Sequence, residues 1–499
     1  MPNAVAYVAL AIWPVVAYLL FRGLSRPAAL TWAILGGYLL LPFGVGIDLP
    51  MVPPIDKSLI AALAATALCF VSVGKGGDIR QAPVDASNTP YARNRAGPST
   101  WSTKREGHDR AEVPKQAAEI APVPVWIDRF LVLLVLFTPF VTVAQNSEPV
   151  LGEAGWLPGL TSYDAVSMAL AGVVSILPYL LARRFLSGDR EHILLLTGLG
   201  VAGVLYSLPS LFEVRMSPQL SKWIYGFLAQ SFGQAIRNGG FRPVVFLQHG
   251  LWLAIFLAMS LLAAAILWRL GSQRRKWLVA LIWLLLTLAL CKSLGGLTIA
   301  ILLLPAVAFM SVRWQLLLAG MIAGIFVSYP VLRGAQIIPT AEIATLAESL
   351  SADRAGSLRF RFDNEDSLLA RAAEKPLAGW GGWARSRVHD EETGENASIT
   401  DGIWVIVIGQ SGWLGYLGTF GLLTTPILVL GLRSRKATSL ATSGLCLVLA
   451  ANLIDMVPNA TLTPITWLIA GALAGHARMS KAMNPVGGLS TRSPRSFRA

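Results

Sequence analysis

Long apolar runs recur along almost the whole chain, separated by short polar turns and a few longer polar segments. Most of the runs have about 17–22 residues, the length of helix that crosses the hydrocarbon core of a bilayer. We therefore predict an all-α integral membrane protein, a polytopic bundle of about 12–13 transmembrane helices. The predicted spans are 4–21, 28–43, 58–73, 126–144, 164–182, 192–209, 249–268, 276–291, 295–311, 314–331, 402–431, 437–454 and 459–475.

The composition agrees with this pattern. Of the 499 residues, 54% are hydrophobic and 14% are charged, whereas about 25% of the residues in a soluble domain are charged. Much of the net charge of +13 lies in short loops and the C-terminal tail, where Lys and Arg set the orientation of a membrane protein. The charge therefore predicts membrane lipids and no nucleic acid as partners.

The basic loops also predict sidedness. Arg183, Arg184 and the stretch Arg274–Lys276 fall on the same side as the tail from Arg478, and this side is the cytoplasm by the positive-inside rule. The N-terminus has no basic n-region or cleavage site and is predicted to be a span that starts outside. The predicted segments are transmembrane helices 1–73, a disordered cytoplasmic loop 74–125, transmembrane helices 126–330 with an outer loop 211–248, a large helical outer loop 331–401, transmembrane helices 402–475 and a disordered cytoplasmic tail 476–499.

Both outer loops contain arginines on the side where positive charge is normally scarce. In the first, Arg237 and Arg242 flank Gly239-Gly240 just before a span. Glycines let backbone N–H groups approach an anion, and the Arg fork matches phosphate oxygens. These residues are candidates for binding a lipid-linked pyrophosphate. The alternative is that they anchor the chain to lipid head groups.

The large loop 331–401 is predicted to contain its own helices, one over 341–350 and another that starts at Asn364-Glu365-Asp366 and stops at Pro376. Between them, apolar residues alternate with Arg359 and Arg361, which in an extended segment places both arginines on one face. The two arginines are candidate ligands for the same anion. The alternative is that they are solvated residues at the edge of an amphipathic loop. Trp380 lies in a Gly-rich turn, 379–383, and is a candidate for substrate binding.

Lys292, between two apolar runs, is a further candidate cation, because an ionisable group at membrane depth is often functional. The alternative is a lysine that extends to the interface. For a general base, a His or carboxylate near the pyrophosphate is required. Asp401, His389 and His249 meet that condition, because each lies on the predicted outer side of the membrane and near the candidate pyrophosphate site. For each of them the alternative is a structural role.

No other motif indicates chemistry. Cys69, Cys291 and Cys446 have neither metal-ligand spacing nor a disulfide pattern, and no metal-binding motif is present. We therefore predict no metal and no cofactor.

Residues 375–417 resemble the hallmark segment of the O-antigen ligase and O-antigen polymerase superfamily. The likeness lies in Pro376-Leu377-Ala378-Gly379-Trp380-Gly381, in Thr400-Asp401 at the start of a span, and in Gly412-Trp413-Leu414-Gly415 within it. Gly240-Phe241-Arg242 is similar to the family's Arg-bearing segment. The layout, with three spans after the large loop, resembles the family over roughly residues 126–475.

The resemblance implies a bacterial inner-membrane glycosyltransferase that works without metal. Such an enzyme transfers or polymerises a glycan from an undecaprenyl pyrophosphate carrier to a glycan or lipid acceptor at the periplasmic face. Other polysaccharide-assembly proteins are the further partners that the resemblance implies. By position, Arg237 or Arg242 and Lys292 would bind the pyrophosphate. The family's His-Asn pair reads Thr400-Asp401 here, so Asp401 is the first candidate base and His389 the second. The alternative function is a transporter or flippase of lipid-linked glycan or another anion.

Overall fold

The computed structural model describes residues 1–49, 52–71, 125–152, 155–237, 239–350, 352–390, 395–432 and 438–479. Most of them are helical, and the described strands form short antiparallel hairpins. The helices are α1 (Ala4–Gly23), α2 (Arg26–Leu40), α3 (Lys57–Phe70), α4 (Val125–Ala144), α5 (Ser162–Phe185), α6 (Asp189–Met216), α7 (Leu220–Tyr225), α8 (Phe232–Ala235), α9 (Gly250–Leu270), α10 (Arg274–Leu290), α11 (Leu294–Phe309), α12 (Val312–Gly334), α13 (Thr340–Leu350), α14 (Ala352–Ala373), α15 (Ile403–Leu432), α16 (Leu440–Asp455) and α17 (Pro464–Met479). The paired strands are β1 (Gly46–Leu49) with β2 (Val52–Asp56), β3 (Val150–Gly152) with β4 (Gly155–Leu157), and β5 (Ile236–Arg237) with β6 (Gly240–Phe241).

A helix lies at every predicted span, so the all-α prediction is confirmed. Within the described part of the chain, 7 helices are long and apolar enough to cross a membrane, namely α1, α4, α5, α6, α9, α12 and α15. Helices α3, α11 and α16 are apolar but shorter. The count of about 12–13 spans, the sidedness and the inner-membrane location stay predictions.

Helices α9 and α16 form the centre of the bundle. Every residue of α9 from Leu253 to Leu267 is buried, and so is every residue of α16 from Ala441 to Leu453. A helix that is buried on all sides lies inside a larger assembly of helices. Gly444 lets the two helices approach closely, because a Cβ at this position would lie 2.6 Å from Cδ1 of Ile266.

The outer helices expose large apolar side chains. Val15 of α1, Phe137 of α4, Leu302 of α11 and Met321 of α12 are all exposed. Soluble monomers rarely expose apolar surface on so many elements. This surface is typical of helices that face lipid, and the structure therefore supports a multi-pass membrane protein.

Several helix ends predicted to be cytoplasmic meet at one end of the bundle. Asp128, in the first turn of α4, accepts hydrogen bonds from the Tyr179 hydroxyl and from Arg183 of α5. It also pairs with Arg478 of α17 at 2.7 Å. The starts of α6 and α16 also meet, where Ser439 Oγ donates to Asp189 Oδ1 at 2.6 Å. Arg183 and Arg478, two of the basic residues used to predict the sidedness, therefore share one end.

At the opposite end, the buried carboxylate of Glu213 holds the segment that follows α6. It accepts the backbone N–H groups of Val244 and Val245, each at 2.8 Å, and that of Leu220 at 3.0 Å. A buried carboxylate with three backbone donors fixes the chain around it. The β5–β6 hairpin is thereby kept over the end of the bundle.

The large loop differs in part from its prediction. Helix α13 agrees with the predicted 341–350 helix. The segment around Arg359 and Arg361 is helical rather than extended, because α14 starts at Ala352 and not at Asn364. The disordered loop predicted for 74–125 and most of the predicted tail lie outside the described residues. His476 to Met479, assigned to that tail, belong to α17.

The Gly-rich turn 379–383 packs on α15. Backbone N–H groups of Trp380 and Gly381 donate to the carbonyls of Gly409 and Gln410 at 2.8 and 2.9 Å. Gly412 breaks the helical path of α15 with a φ of 58°. A Cβ there would lie 2.5 Å from the backbone of Leu377, so only glycine permits this close approach.

Candidate functional site

The β5–β6 hairpin presents Arg237 and Arg242. Gly239 adopts a φ of 69° between the two strands, a conformation that glycine takes without strain. Gly250, the first residue of α9, leaves room for Arg242, because a Cβ there would lie 2.3 Å from the Cδ of that arginine. Gly239, from the predicted motif, and Gly250, which sequence analysis does not single out, therefore position the Arg242 side chain across a helix end.

Lys292 reaches the same hairpin from the corner between α10 and α11. It has a φ of 52°, and its Nζ donates to the carbonyl of Arg237 at 3.3 Å. A Cβ on Gly240 would lie 2.2 Å from this Nζ. The lysine that sequence analysis singled out is thus part of the hairpin site, although it is 55 residues away in the chain.

Arg361 of α14 completes a cluster of cations with Arg237, Arg242 and Lys292, which we call the cationic cluster. Burial is the largest cause that lowers the pKa of Arg242, and the positive charges of Arg237 and Arg361 lower this pKa further. Among the described residues, no carboxylate forms an ion pair with Arg237 or Arg242. The Nε of Arg242 is also buried without a hydrogen-bond partner in the described chain. Cations held against mutual repulsion form a site prepared for an anion.

Asp401 adjoins this cluster through Arg361. The two side chains pair at 3.4 Å, and Arg361 also donates to the Pro458 carbonyl at 3.3 Å. Asp401 lies two residues before the start of α15 and remains partly exposed. The carboxylate therefore lies where an aqueous ligand can reach it, with its orientation set by the arginine.

His249 lies at the start of α9 and is neutral. Burial lowers its pKa to about 4, and the neighbouring charges of Arg242 and Arg237 act in the same direction. Its Nδ1 accepts the N–H of Leu251 at 3.1 Å, so the single proton of the neutral ring is on Nε2. His249 can therefore donate a hydrogen bond to an anion, but its basic nitrogen is already used.

A cavity of about 310 Å³ brings His249 and Asp401 together. Its wall is rich in carboxamides and hydroxyls, which suit a ligand with many hydroxyl groups. Both carboxamide atoms of Gln230 are buried and have no partner among the described residues. The other polar residues in the wall are Gln234, Gln248, Thr400, Asn459 and Thr461.

A smaller cavity of about 100 Å³ lies on the other side of Asp401 and Arg361. It contains Glu365, whose pKa burial raises to about 7 against the opposing effect of Arg333. Arg333 lies 3.6 Å from Glu365 and 2.7 Å from Asp366. Sequence reasoning treated Glu365 only as a helix-start signal, and nothing in its local pattern indicates its burial.

Three predicted site residues lie elsewhere. Arg359 is exposed and pairs with Glu348 at 2.5 Å, because residues two apart on a helix point to different sides. His389 and Trp380 line a separate cavity of about 670 Å³ with Arg371 and other residues. The structure therefore does not bring the second candidate base to the cationic cluster.

Trp380 is mainly a packing residue of the Gly-rich turn. The Arg371 guanidinium lies 3.4 Å from its ring centroid, and its indole N–H donates to the Arg371 carbonyl at 2.8 Å. Nearby, Arg385 is buried and donates to three carbonyls, those of Trp380, Pro158 and Glu148. Part of segment 375–417 thus stabilises the attachment of the loop to α15.

The amino-acid sequence matches no protein-family model and no curated protein.

Proposed function

We propose that the protein is a membrane glycosyltransferase of the O-antigen polymerase or ligase type, with an undecaprenyl pyrophosphate-linked glycan as donor. The observation that supports this most is the cationic cluster beside a polar cavity that contains Asp401. A pyrophosphate needs cations, and a sugar needs the hydrogen-bonding groups that line this cavity. These groups come from five separate parts of the chain, around residues 229–252, 292, 361, 400–401 and 459–461.

In the proposed reaction, an acceptor hydroxyl attacks the anomeric carbon of the donor glycan. The bond between that carbon and the pyrophosphate oxygen breaks, and the pyrophosphate leaves with the bonding electrons. Arg237 and Arg242 stabilise the negative charge that grows on the leaving group. The Nε2–H of His249 supplies a neutral donor to the same anion.

Asp401 takes the proton of the acceptor hydroxyl. It lines the cavity, and Arg361 fixes its carboxylate without burying it. His249 is less suited, because its basic nitrogen accepts a backbone N–H. His389 is less suited because it lies at the other cavity. Of the three candidates, Asp401 has the geometry that general-base catalysis requires.

Binding of undecaprenyl pyrophosphate to the purified full chain in lipid nanodiscs tests the proposal. The pyrophosphate should bind more tightly than undecaprenol, and Arg237→Ala should weaken its binding by roughly tenfold or more, the effect of losing one charge-assisted hydrogen bond. Arg359→Ala is the matched control, since this exposed arginine of the same outer region pairs with Glu348. Equal losses in both variants would indicate unspecific attraction of anionic lipid and contradict the proposal.

A further inference from the structure

At the end of the bundle opposite the cationic cluster, two buried histidines and an aspartate meet. Asp189 and His192 lie three residues apart in the first turn of α6, and therefore on one face. His476 comes from the last turn of α17. One ligand atom from each of the three side chains lies within 4.8 Å of the other two, and the two imidazole centroids are 5.1 Å apart.

The hydrogen bond of His476 fixes its tautomer. Its Nδ1 lies 3.0 Å from the carbonyl oxygen of Ser187, and a carbonyl can only accept, so Nδ1 carries the proton. The neutral ring then has its lone pair on Nε2. Metal-bound histidines typically have this arrangement, in which one ring N–H donates to a backbone carbonyl and the other nitrogen binds the ion.

Thr442 links the other two residues. Its Oγ1 lies 2.8 Å from His192 Nδ1 and 2.9 Å from Asp189 Oδ1, and Asp189 Oδ1 also accepts from Ser439 Oγ. When the Nε2–H of a neutral His192 donates to the Ala472 carbonyl, 3.4 Å away, the lone pair of the ring is on Nδ1, where the Thr442 hydroxyl can donate to it. Because His192 is fully buried, this lone pair needs a partner, either a donor or a metal ion.

We propose that Asp189, His192 and His476 form a binding site for a divalent transition-metal ion of the Zn²⁺ class. Two imidazole nitrogens and one carboxylate oxygen are a common set of three protein ligands, with a water as the fourth. The ion replaces the Thr442 hydroxyl as the partner of the His192 Nδ1 lone pair and also accepts the lone pair of His476 Nε2. The displaced Thr442 hydroxyl then donates to Asp189.

The geometry needs only a small adjustment. Ligand atoms in a tetrahedral zinc site lie about 3.4 Å apart, given bonds of about 2.1 Å. Since the three atoms lie within 4.8 Å of one another, no pair must close by more than about 1.4 Å. Asp189 is exposed and can rotate toward the histidines. Its exposure also gives the ion a path from the aqueous side.

The neighbouring positive charges do not prevent this. Arg183 and Arg478, at the same end of the bundle, both pair with Asp128. The bound ion would join the ends of α6 and α17, and through Thr442 the start of α16. Its expected role is to stabilise this end of the bundle, independently of the proposed transferase site.

Zinc binding to the full chain tests the proposal, with the protein purified through a tag that contains no histidine and stripped with a chelator. We expect about one Zn²⁺ per chain by elemental analysis and a rise in the thermal midpoint on adding Zn²⁺. His476→Gln, which can still donate to Ser187, should weaken binding at least 100-fold. Asp189→Asn is a second variant that changes only an exposed side chain, and His389→Gln is the control that should bind normally.

Unchanged zinc content in both His476→Gln and Asp189→Asn would overturn the proposal, as would no zinc binding by the unmodified chain. A thermal midpoint that responds to pH but not to Zn²⁺ would also overturn it, since the cluster would then bind a proton. Co²⁺ gives an independent readout, because its visible absorption reports nitrogen and oxygen ligation directly.

Discussion

Replacing Arg242 with Met should weaken pyrophosphate binding and leave the protein as stable as before or more stable. Arg242 is partly buried near two other arginines, and its Nε has no hydrogen-bond partner in the described chain. Met retains most of the side-chain volume and removes the charge. A residue that is kept at a cost to stability is typical of a functional site.

The effects on binding and on stability can both be given a size from the interactions of Arg242. One charge-assisted hydrogen bond contributes about 1.5–3 kcal/mol, so the dissociation constant of undecaprenyl pyrophosphate should rise roughly 10- to 140-fold. Removing a buried donor without a partner should stabilise the fold by roughly 1 kcal/mol. Arg242→Lys should restore little binding, because a bidentate fork becomes a point charge.

Thermal unfolding in detergent measures the effect of the substitution on stability. Cys69, Cys291 and Cys446 are buried and free, so a thiol-reactive dye reports their exposure as the chain unfolds. Arg385→Met is the matched control, because Arg385 is a buried arginine whose guanidinium donates to three carbonyls. This variant should lose at least about 3 kcal/mol, since three acceptors lose their donor.

The reasoning would be refuted if Arg242→Met unfolded as early as Arg385→Met while it bound undecaprenyl pyrophosphate normally. Arg242 would then be a structural residue of the hairpin. Weak binding together with a large loss of stability would also contradict the prediction, since the fold would depend on the charge.

Asp401→Asn should bind undecaprenyl pyrophosphate normally but reduce product roughly 10²- to 10⁴-fold, measured on gels of surface polysaccharide from cells carrying the variant; full product would show that the base lies elsewhere. Burial lowers the pKa of His249 to about 4, so the unfolded chain binds a proton more readily than the folded chain. The free energy of unfolding should therefore fall as pH drops from about 6.5 toward 4. His249→Gln should reduce this pH dependence, and the same pH profile in the variant and the unmodified chain would contradict the prediction. Gly412→Ala should destabilise the fold by about 1–3 kcal/mol because of its positive φ, whereas Gly320→Ala, with open space around its Cβ, should be tolerated; equal midpoints would contradict this. Cysteines at Ile236 and Ala370 should react with an impermeant reagent in intact cells and one at Pro90 should not; the reverse labelling would invert the predicted sidedness.

The sequence was sufficient to predict the helices, because apolar length alone determines where a helix can be buried in lipid. A helix lies at each predicted span, including the buried helices α9 and α16. The sequence was insufficient to predict the helical conformation of the segment around Arg359 and Arg361. Alternation of apolar and charged residues over five positions indicates a strand only when no longer helical context competes, and α14 provides that context over Ala352–Ala373.

The site was partly predictable for a related reason. Arg237, Arg242 and Asp401 stood out by residue type and side of the membrane, and the structure brings them to one region. Sequence analysis groups Trp380 and His389 with them, because both lie in the predicted outer loop 331–401. The turn that docks on α15 directs these two residues to a different cavity, and such a separation depends on tertiary packing that local patterns do not contain.

The two ends of the bundle use charge in different ways, and this difference supports a functional interpretation of the end with the cationic cluster. At one end, Arg183 and Arg478 both have a carboxylate partner, Asp128. At the other, Arg237 and Arg242 have no carboxylate partner among the described residues, and they lie beside a cavity with unsatisfied carboxamide atoms. A fold that gives the arginines of one end a carboxylate and leaves those of the other end without one has a free energy to gain from an anionic, hydroxyl-rich ligand at the second.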